Sequence, residues 1–409
     1  MSKKPRILIF MMNVGSGHHV PALSVQSAIA AAHPHIETKV VNVATDLGIP
    51  SFERRLVASW HFFLEHPFLF WVLYAATRRR FRLVRAFDSL VSRQIERRLI
   101  EFLEREKPDL VFCTHCTAAN IIGRLKERNE CSIPTVELIT DAFEAHAMWF
   151  AGPSDHYIFY DRDRMHHLLA AGIRQEQIRI MGFPLREGFT RKPIDRRGGR
   201  EKGHRTKARL SVLLVFGGEG WGRAERQVQG LLDADLDLDL VVICGKNEHL
   251  KARLSQLAAE RARSRTRLIP HGYVDGIQEY LAAADLTMGK SGTSFTFETL
   301  FFNKPFLITH TMANESGCRD FVLQHRVGWY APRTSDQVAI LRRLVNDRAI
   351  LAEYCANCRK LDVRNGAQEI ADFLAALVDG MRNGGASTRR AHLMAEPRAR
   401  AVRARSFSP

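Results

Sequence analysis

Several acidic and imidazole side chains stand directly after short apolar runs, where a sheet edge would present them to a ligand. His18 lies in the glycine-bearing turn Asn13-Val14-Gly15-Ser16-Gly17-His18-His19, which follows the apolar run at residues 6–12. An imidazole titrates near neutral pH and so suits proton removal from a hydroxyl, whereas His19 beside it reads as a loop residue without a role. Asp141 closes the apolar run at 134–140 and reads equally as a carboxylate at the sheet edge or as the cap of the next helix. Lys290-Ser291-Gly292-Thr293 is a turn rich in backbone and hydroxyl donors, set between an apolar run at 286–289 and helix-like spacing at 294–301. Amides at a helix start have no internal partners and carry partial positive charge, so this turn could hold a phosphate without a metal. Glu298, about one turn further on, could accept from both hydroxyls of a ribose. The same residues also fit an ordinary strand-turn-helix unit with a solvated glutamate.

Positioning such groups requires strands that alternate with helices. Strand-like runs fall at 6–12, 39–43, 109–113, 135–140 and 157–160, then at 211–216, 240–244, 266–269, 286–289 and 305–309, with helical spacing at 21–32 and 294–301. The alternation predicts an α/β chain of doubly wound parallel sheets. At 409 residues and 45% hydrophobic content there is enough apolar material for two cores. The expected division is 1–190, a basic linker at 191–209, a second domain at 210–380 and a basic tail at 381–409.

The segment 270–330 is similar to the donor half of the glycosyltransferase family that contains the monogalactosyldiacylglycerol synthases, the processive diacylglycerol glucosyltransferases and the N-acetylglucosaminyltransferase of peptidoglycan synthesis. The resemblance implies the GT-B fold, two Rossmann-like domains facing a cleft. It implies that Glu298 holds the ribose and that Tyr273 and Val274 offer backbone to uracil. It also implies that Gly218, Gly220 and Gly222, with Ser291, Gly292 and Thr293, bind the donor phosphates. Asn314 and Glu315 would read the hexose hydroxyls, with Cys318 where the family usually has asparagine. Residues 139–150 resemble a Thr-Asp-x-x-x-x-His-x-x-Trp-Phe segment of the galactolipid synthases with every spacing kept. By that resemblance His18 is the general base, Asp141 orients it or acts as base itself, and His146 and Trp149 line the acceptor cleft. Gly182-Phe183-Pro184-Leu185-Arg186-Glu187-Gly188-Phe189 resembles the element that closes the first domain.

The net charge of +16 is concentrated: the linker carries +7, residues 78–85 carry +5 and the tail +6, leaving the remainder near neutral. Such clusters fit an anionic surface, and no nucleic-acid recognition motif accompanies them. Residues 51–91 set Trp60, Phe62, Phe63, Phe68, Phe70, Trp71 and Tyr74 close to Arg78, Arg79 and Arg80. The apolar block within it is too short to span a bilayer and reads as interfacial, or else as a core helix pair with a basic end. With seven cysteines and a hydrophilic start, the expectation is a reducing compartment and a cytoplasmic, peripheral position on the inner face of the membrane. Cys113 and Cys116, with Cys355 and Cys358, read as small buried residues in preference to a zinc site. Together these features imply transfer of glucose or galactose from a UDP-sugar to diacylglycerol, with anionic membrane lipids as partners and without metal or cofactor. A GT-B enzyme with another acceptor, such as a peptidoglycan-type N-acetylglucosaminyltransferase, or a nucleotide-sugar 2-epimerase is the alternative.

Overall fold

The computed structural model describes residues 4–13, 16–189, 209–216 and 224–383. In the first half the apolar runs become one parallel sheet of β1 (Arg6–Met11), β2 (Glu37–Asn42), β3 (Leu110–Cys113), β4 (Thr135–Leu138), β5 (His156–Phe159) and β6 (Ile178–Ile180), ordered β2-β1-β3-β4-β5-β6. Every residue of β3, β4 and β5 is buried, because helices cover both faces of the sheet. Those helices are α1 (Ser16–Ala32), α2 (Pro50–Glu65), α3 (Pro67–Thr77), α4 (Phe81–Val91), α5 (Arg93–Glu106), α6 (Cys116–Glu127) and the short α7 (His166–Ala170). α1 starts five residues before the expected helix at 21–32, and Pro21 removes one amide from its second turn without ending it.

The second half repeats the plan with β7 (Leu210–Val215), β8 (Leu238–Ile243), β9 (Thr266–His271), β10 (Leu286–Lys290), β11 (Phe306–His310) and β12 (Gly328–Tyr330), ordered β12-β11-β10-β7-β8-β9. Its helices are α8 (Ala224–Asp233), α9 (Glu248–Glu260), α10 (Ile277–Ala283), α11 (Thr293–Phe301), α12 (Ser316–Gln324), α13 (Thr334–Asn346) and α14 (Arg348–Leu361). The last helix, α15 (Ala367–Asn383), departs from the expected 210–380 division. Ile370, Ala371, Leu374 and Val378 leave the second lobe and share a core with Ile7, Ile9, Val25 and Ile29 of β1 and α1.

The chain therefore passes between the lobes twice. Residues 182–189 go one way and 362–366 return beside them, pinned by the Leu185 N–H to Asn365 Oδ1 (2.9 Å) and the Gly366 N–H to the Phe183 carbonyl (3.0 Å). A side chain on Gly366 would collide with the backbone of Gly182, so the two segments lie backbone to backbone. The lobes also meet at Phe143, whose ring stacks on Phe321 of α12 (4.3 Å) and Phe297 of α11 (5.3 Å). The glycines expected to face the donor phosphates, Gly218, Gly220 and Gly222, lie outside the described residues, as do most of the basic linker and the basic tail.

Candidate active site

Each sheet has one point where its connections diverge. In the first, β1 leads outward to β2 while its neighbour β3 leads the other way to β4; in the second, β7 and β10 stand in the same relation. Ligands of open α/β sheets bind at the carboxyl ends of such strands.

His18, in the first turn of α1, and Thr114, just after β3, meet at the first of these points. The His18 Nδ1 lies 2.8 Å from the Thr114 carbonyl, and since a carbonyl only accepts, Nδ1 carries the proton and Nε2 is left as the acceptor. The Thr140 hydroxyl lies 3.0 Å from the same nitrogen, and the Thr114 hydroxyl donates back to the His18 carbonyl at 2.8 Å. The ring of His115 stands edge-on at 4.7 Å, and that of Trp149 lies at 6.2 Å. Burial lowers the pKa of His18, with the Thr114 bond opposing it, so the imidazole is neutral at physiological pH. A neutral ring with a fixed tautomer and an available Nε2 is equipped to accept a proton.

Asp141 does not bond the imidazole. Its Oδ2 accepts from the Trp149 indole at 2.8 Å, so the orienting part expected of it falls to Thr114 and Thr140. Burial raises the Asp141 carboxyl to about 7, against the Trp149 bond, and the carboxylates Glu315 and Glu144 add to the rise. The influence of Glu315 is notable because it belongs to the other lobe; the Glu144 carboxylate likewise accepts from Ser316 across the gap at 3.3 Å. Trp149 is buried, as is His146. His146 Nδ1 accepts from the Met148 N–H at 3.0 Å, capping the 3-10 helix Ala147–Phe150, and its Nε2 lies 3.1 Å from the Thr77 hydroxyl at the end of α3. Burial and Arg78 hold its pKa at about 4. His146 thus ties α3 to the 3-10 helix that follows β4.

At the second point Gly292 precedes α11 in extended backbone, and no side chain among the described residues bonds its first amides. These amides are free to meet an anion. Ser291 differs from expectation, being fully buried, with its hydroxyl donated to Thr311 (3.0 Å) and its N–H to the His310 carbonyl (3.0 Å). It shapes the turn and presents no donor to it. Thr293 contacts Cys318 Sγ at 3.7 Å, and Ser294 in the first helical turn has a buried hydroxyl with no partner among the described residues. Lys290 pairs with Glu315 at 2.6 Å and lies 5.7 Å from the Trp60 ring of α2. Asn314 Oδ1 beside it is buried and unpartnered among the described residues. The solvated reading of Glu298 also fails: this residue is 2% exposed and accepts from Arg186 Nε at 2.6 Å. Tyr273 and Val274 follow β9, Tyr273 exposed under the Lys246 ammonium and Val274 packed on the core.

In the first lobe the aromatic segment divides. Trp60 and Phe63, expected as surface anchors, pack on Phe70 at 5.7 and 5.2 Å. The exposed apolar side chains include Phe62 on α2, Phe68 (76%) and Trp71 (59%) on α3, and Leu83, Phe87 and Leu90 on α4. Arg79 and Arg80 between these helices are exposed, while Arg78 pairs with Glu144. No single helix among the described residues is long and apolar enough to cross a membrane; α2 and α3 pass that test only as a pair bent by 110°.

Thr114, Thr140, His115 and Arg186 were not among the residues expected at the site. Thr114 and His115 sit between Cys113 and Cys116 just past the end of β3, with no motif spacing to mark them as partners of His18.

Residues 18–185 match the family model described as monogalactosyldiacylglycerol (MGDG) synthase, and residues 212–314 match the glycosyltransferase family 28 C-terminal domain. The chain is 25% identical to the processive diacylglycerol beta-glucosyltransferase of Staphylococcus carnosus over 69% of its own length and 71% of that protein. It is 24% identical to the chloroplastic monogalactosyldiacylglycerol synthase of Spinacia oleracea over 80% of its length, spanning 63% of that relative. Among solved structures, MurG of Acinetobacter baumannii superposes with a TM-score of 0.59 at 12% identity, covering 91% of this chain and 99% of that one. The S. aureus MnaA-UDP complex gives 0.56 at 13%, covering 93% and 97%. The two six-stranded lobes are thereby those of a GT-B fold.

Proposed function

From the premise that the chain is a glycosyltransferase of family 28, related to the diacylglycerol glycosyltransferases, we propose that it transfers glucose or galactose from a UDP-sugar to diacylglycerol at a membrane surface. The observation that carries this reading is the pairing of a neutral, tautomer-fixed His18 on one lobe with an uncapped α11 and buried Glu298 on the other.

In this reading His18 Nε2 takes the proton of the acceptor hydroxyl, whose oxygen attacks the anomeric carbon from the side opposite the nucleotide. The bond to UDP breaks as the new one forms, inverting the anomer. Charge develops on the departing diphosphate, and the first amides of α11 are the groups suited to stabilise it without a metal. In this reading Glu298 accepts from the ribose hydroxyls, Tyr273 and Val274 offer backbone to the uracil, and Asn314 and Glu315 read the hexose. The Asp141 carboxyl, raised to about 7 by burial and held by the Trp149 indole, follows Thr140, whose hydroxyl lies beside the His18 ring.

The exposed apolar faces of α3 and α4, with Arg79 and Arg80 between them, support a lipid acceptor drawn from an anionic bilayer, on the cytoplasmic side of the cell membrane. The test is transfer of labelled sugar from UDP-glucose or UDP-galactose in the presence of diacylglycerol vesicles or a soluble alcohol. Labelled glycolipid supports the proposal. Label transferred to soluble acceptors alone, or UDP-sugar epimerised without transfer, overturns it.

A further inference from the structure

Arg186 lies in residues 182–189, one of the two segments joining the lobes. That segment is fixed from both sides. Leu185 bonds Asn365 in both directions (2.9 and 3.3 Å), and Asn365 Nδ2 also donates to the Phe189 carbonyl (3.2 Å). Phe183, Leu185 and Phe189 are buried in one core with Phe297 and Phe301 of α11, and the Phe183 ring stacks on Phe297 at 4.6 Å, nearly parallel. Phe297 is the chain neighbour of Glu298, so the packing that seats the crossing segment also sets the distance from Arg186 to Glu298.

Glu298 has almost no access to water. A carboxylate removed from solvent gives up its charge unless a cation faces it. Burial pushes the Glu298 carboxyl upward, and the Arg186 guanidinium opposes that push through charge and hydrogen bond. Charge matters to the expected task, because an ionised carboxylate accepts from two hydroxyls while a protonated one must donate. A single contact through Nε leaves acceptor capacity on the carboxylate.

We infer that Arg186 is a positioning residue for nucleotide recognition: from the crossing segment it holds the Glu298 carboxylate charged and oriented to accept from the ribose hydroxyls of a nucleoside diphosphate. The inference rests on the nucleotide-sugar reading above and adds that ribose recognition is built on the inter-lobe connection. Opening the crossing segments would withdraw the counter-ion, so nucleotide affinity and lobe arrangement are coupled.

Calorimetric titration of the full chain with UDP and with 2′-deoxy-UDP tests this in wild type, Arg186→Gln and Arg186→Lys, with thermal melts alongside. Wild type should prefer UDP. Arg186→Gln should weaken UDP by about 30-fold or more, the scale for removing one partner of a buried charge pair, and erase the preference over the deoxynucleotide. Arg186→Lys should recover part of that preference. A merely structural role would lower the melting temperature and leave the ratio of the two affinities intact; an unchanged ratio in Arg186→Gln overturns the inference while the nucleotide reading stands. Wild type that binds neither nucleotide overturns both.

Discussion

At the scale of single residues, the chemistry rests on which nitrogen of His18 carries the proton. The Thr114 carbonyl settles it, leaving Nε2 as the basic atom. Removing a general base typically costs about 10²–10⁴ in rate. His18→Ala should therefore lose transfer on that scale while retaining UDP affinity, because the donor groups lie on the other lobe; comparing turnover with UDP titration checks it, and unchanged turnover would remove His18 from the mechanism. Asp141 gives a second prediction. Its folded pKa of about 7 lies above its ordinary value of 3.8, so in that window the folded chain keeps a proton that the unfolded chain has lost. That contribution to stability is present below the lower value and fades as pH rises through the higher one. Asp141→Asn should accordingly gain on wild type between pH 5 and 8, bounded by about 4 kcal/mol. Denaturant titrations at several pH values measure the difference; a gap that does not widen with pH would contradict the burial account.

At the scale of elements, α3 and α4 present apolar side chains that no described residue covers, beginning with Phe68 and Trp71. Burying such a side chain in a membrane interface is worth about 1.5–3 kcal/mol. Phe68→Ser with Trp71→Ser should lower binding to anionic vesicles at least about tenfold with an unchanged melting temperature and UDP affinity. Co-sedimentation that matches wild type would contradict the interfacial reading. The crossing segments predict a different outcome: Gly366→Ala forces a Cβ into the Gly182 backbone and should destabilise by about 1–3 kcal/mol, seen as a lower urea midpoint. Ten of the twelve strands were legible in the sequence because their Val, Ile and Leu runs are long enough to stand out. β6 and β12, three residues each, carry too little pattern, and β12 includes Gly328 and Trp329 where a buried run would be continuous. α15 was not read from the sequence, and an amphipathic stripe alone would not say which core it meets, which is the first. Of the residues named from motif spacing, His18 lies at the β1–β3 divergence and Ser291, Gly292 and Thr293 at the β7–β10 divergence. The partners of His18 and Glu298 were not legible, because the pairs Arg186 with Glu298 and His18 with Thr114 join positions 112 and 96 residues apart.

At the scale of the whole molecule, two lobes of one architecture divide the task. The first carries the base at the β1–β3 divergence and the exposed aromatic helices beside it; the second carries an open helix start at the β7–β10 divergence. Trp60 of α2 against Lys290, and Lys290 against Glu315, connect the aromatic segment to the expected hexose readers through a short chain of contacts. α15 and the crossing at Gly182 and Gly366 bind the lobes into one body, with the cleft between them. The most direct measurement is a crystal structure of the chain soaked with UDP. The diphosphate should rest on the first amides of α11 after Gly292, and both ribose hydroxyls on the Glu298 carboxylate, on the side of the cleft opposite His18. Nucleotide bound elsewhere, or bound with Glu298 untouched, would contradict the proposed transfer reaction at its root.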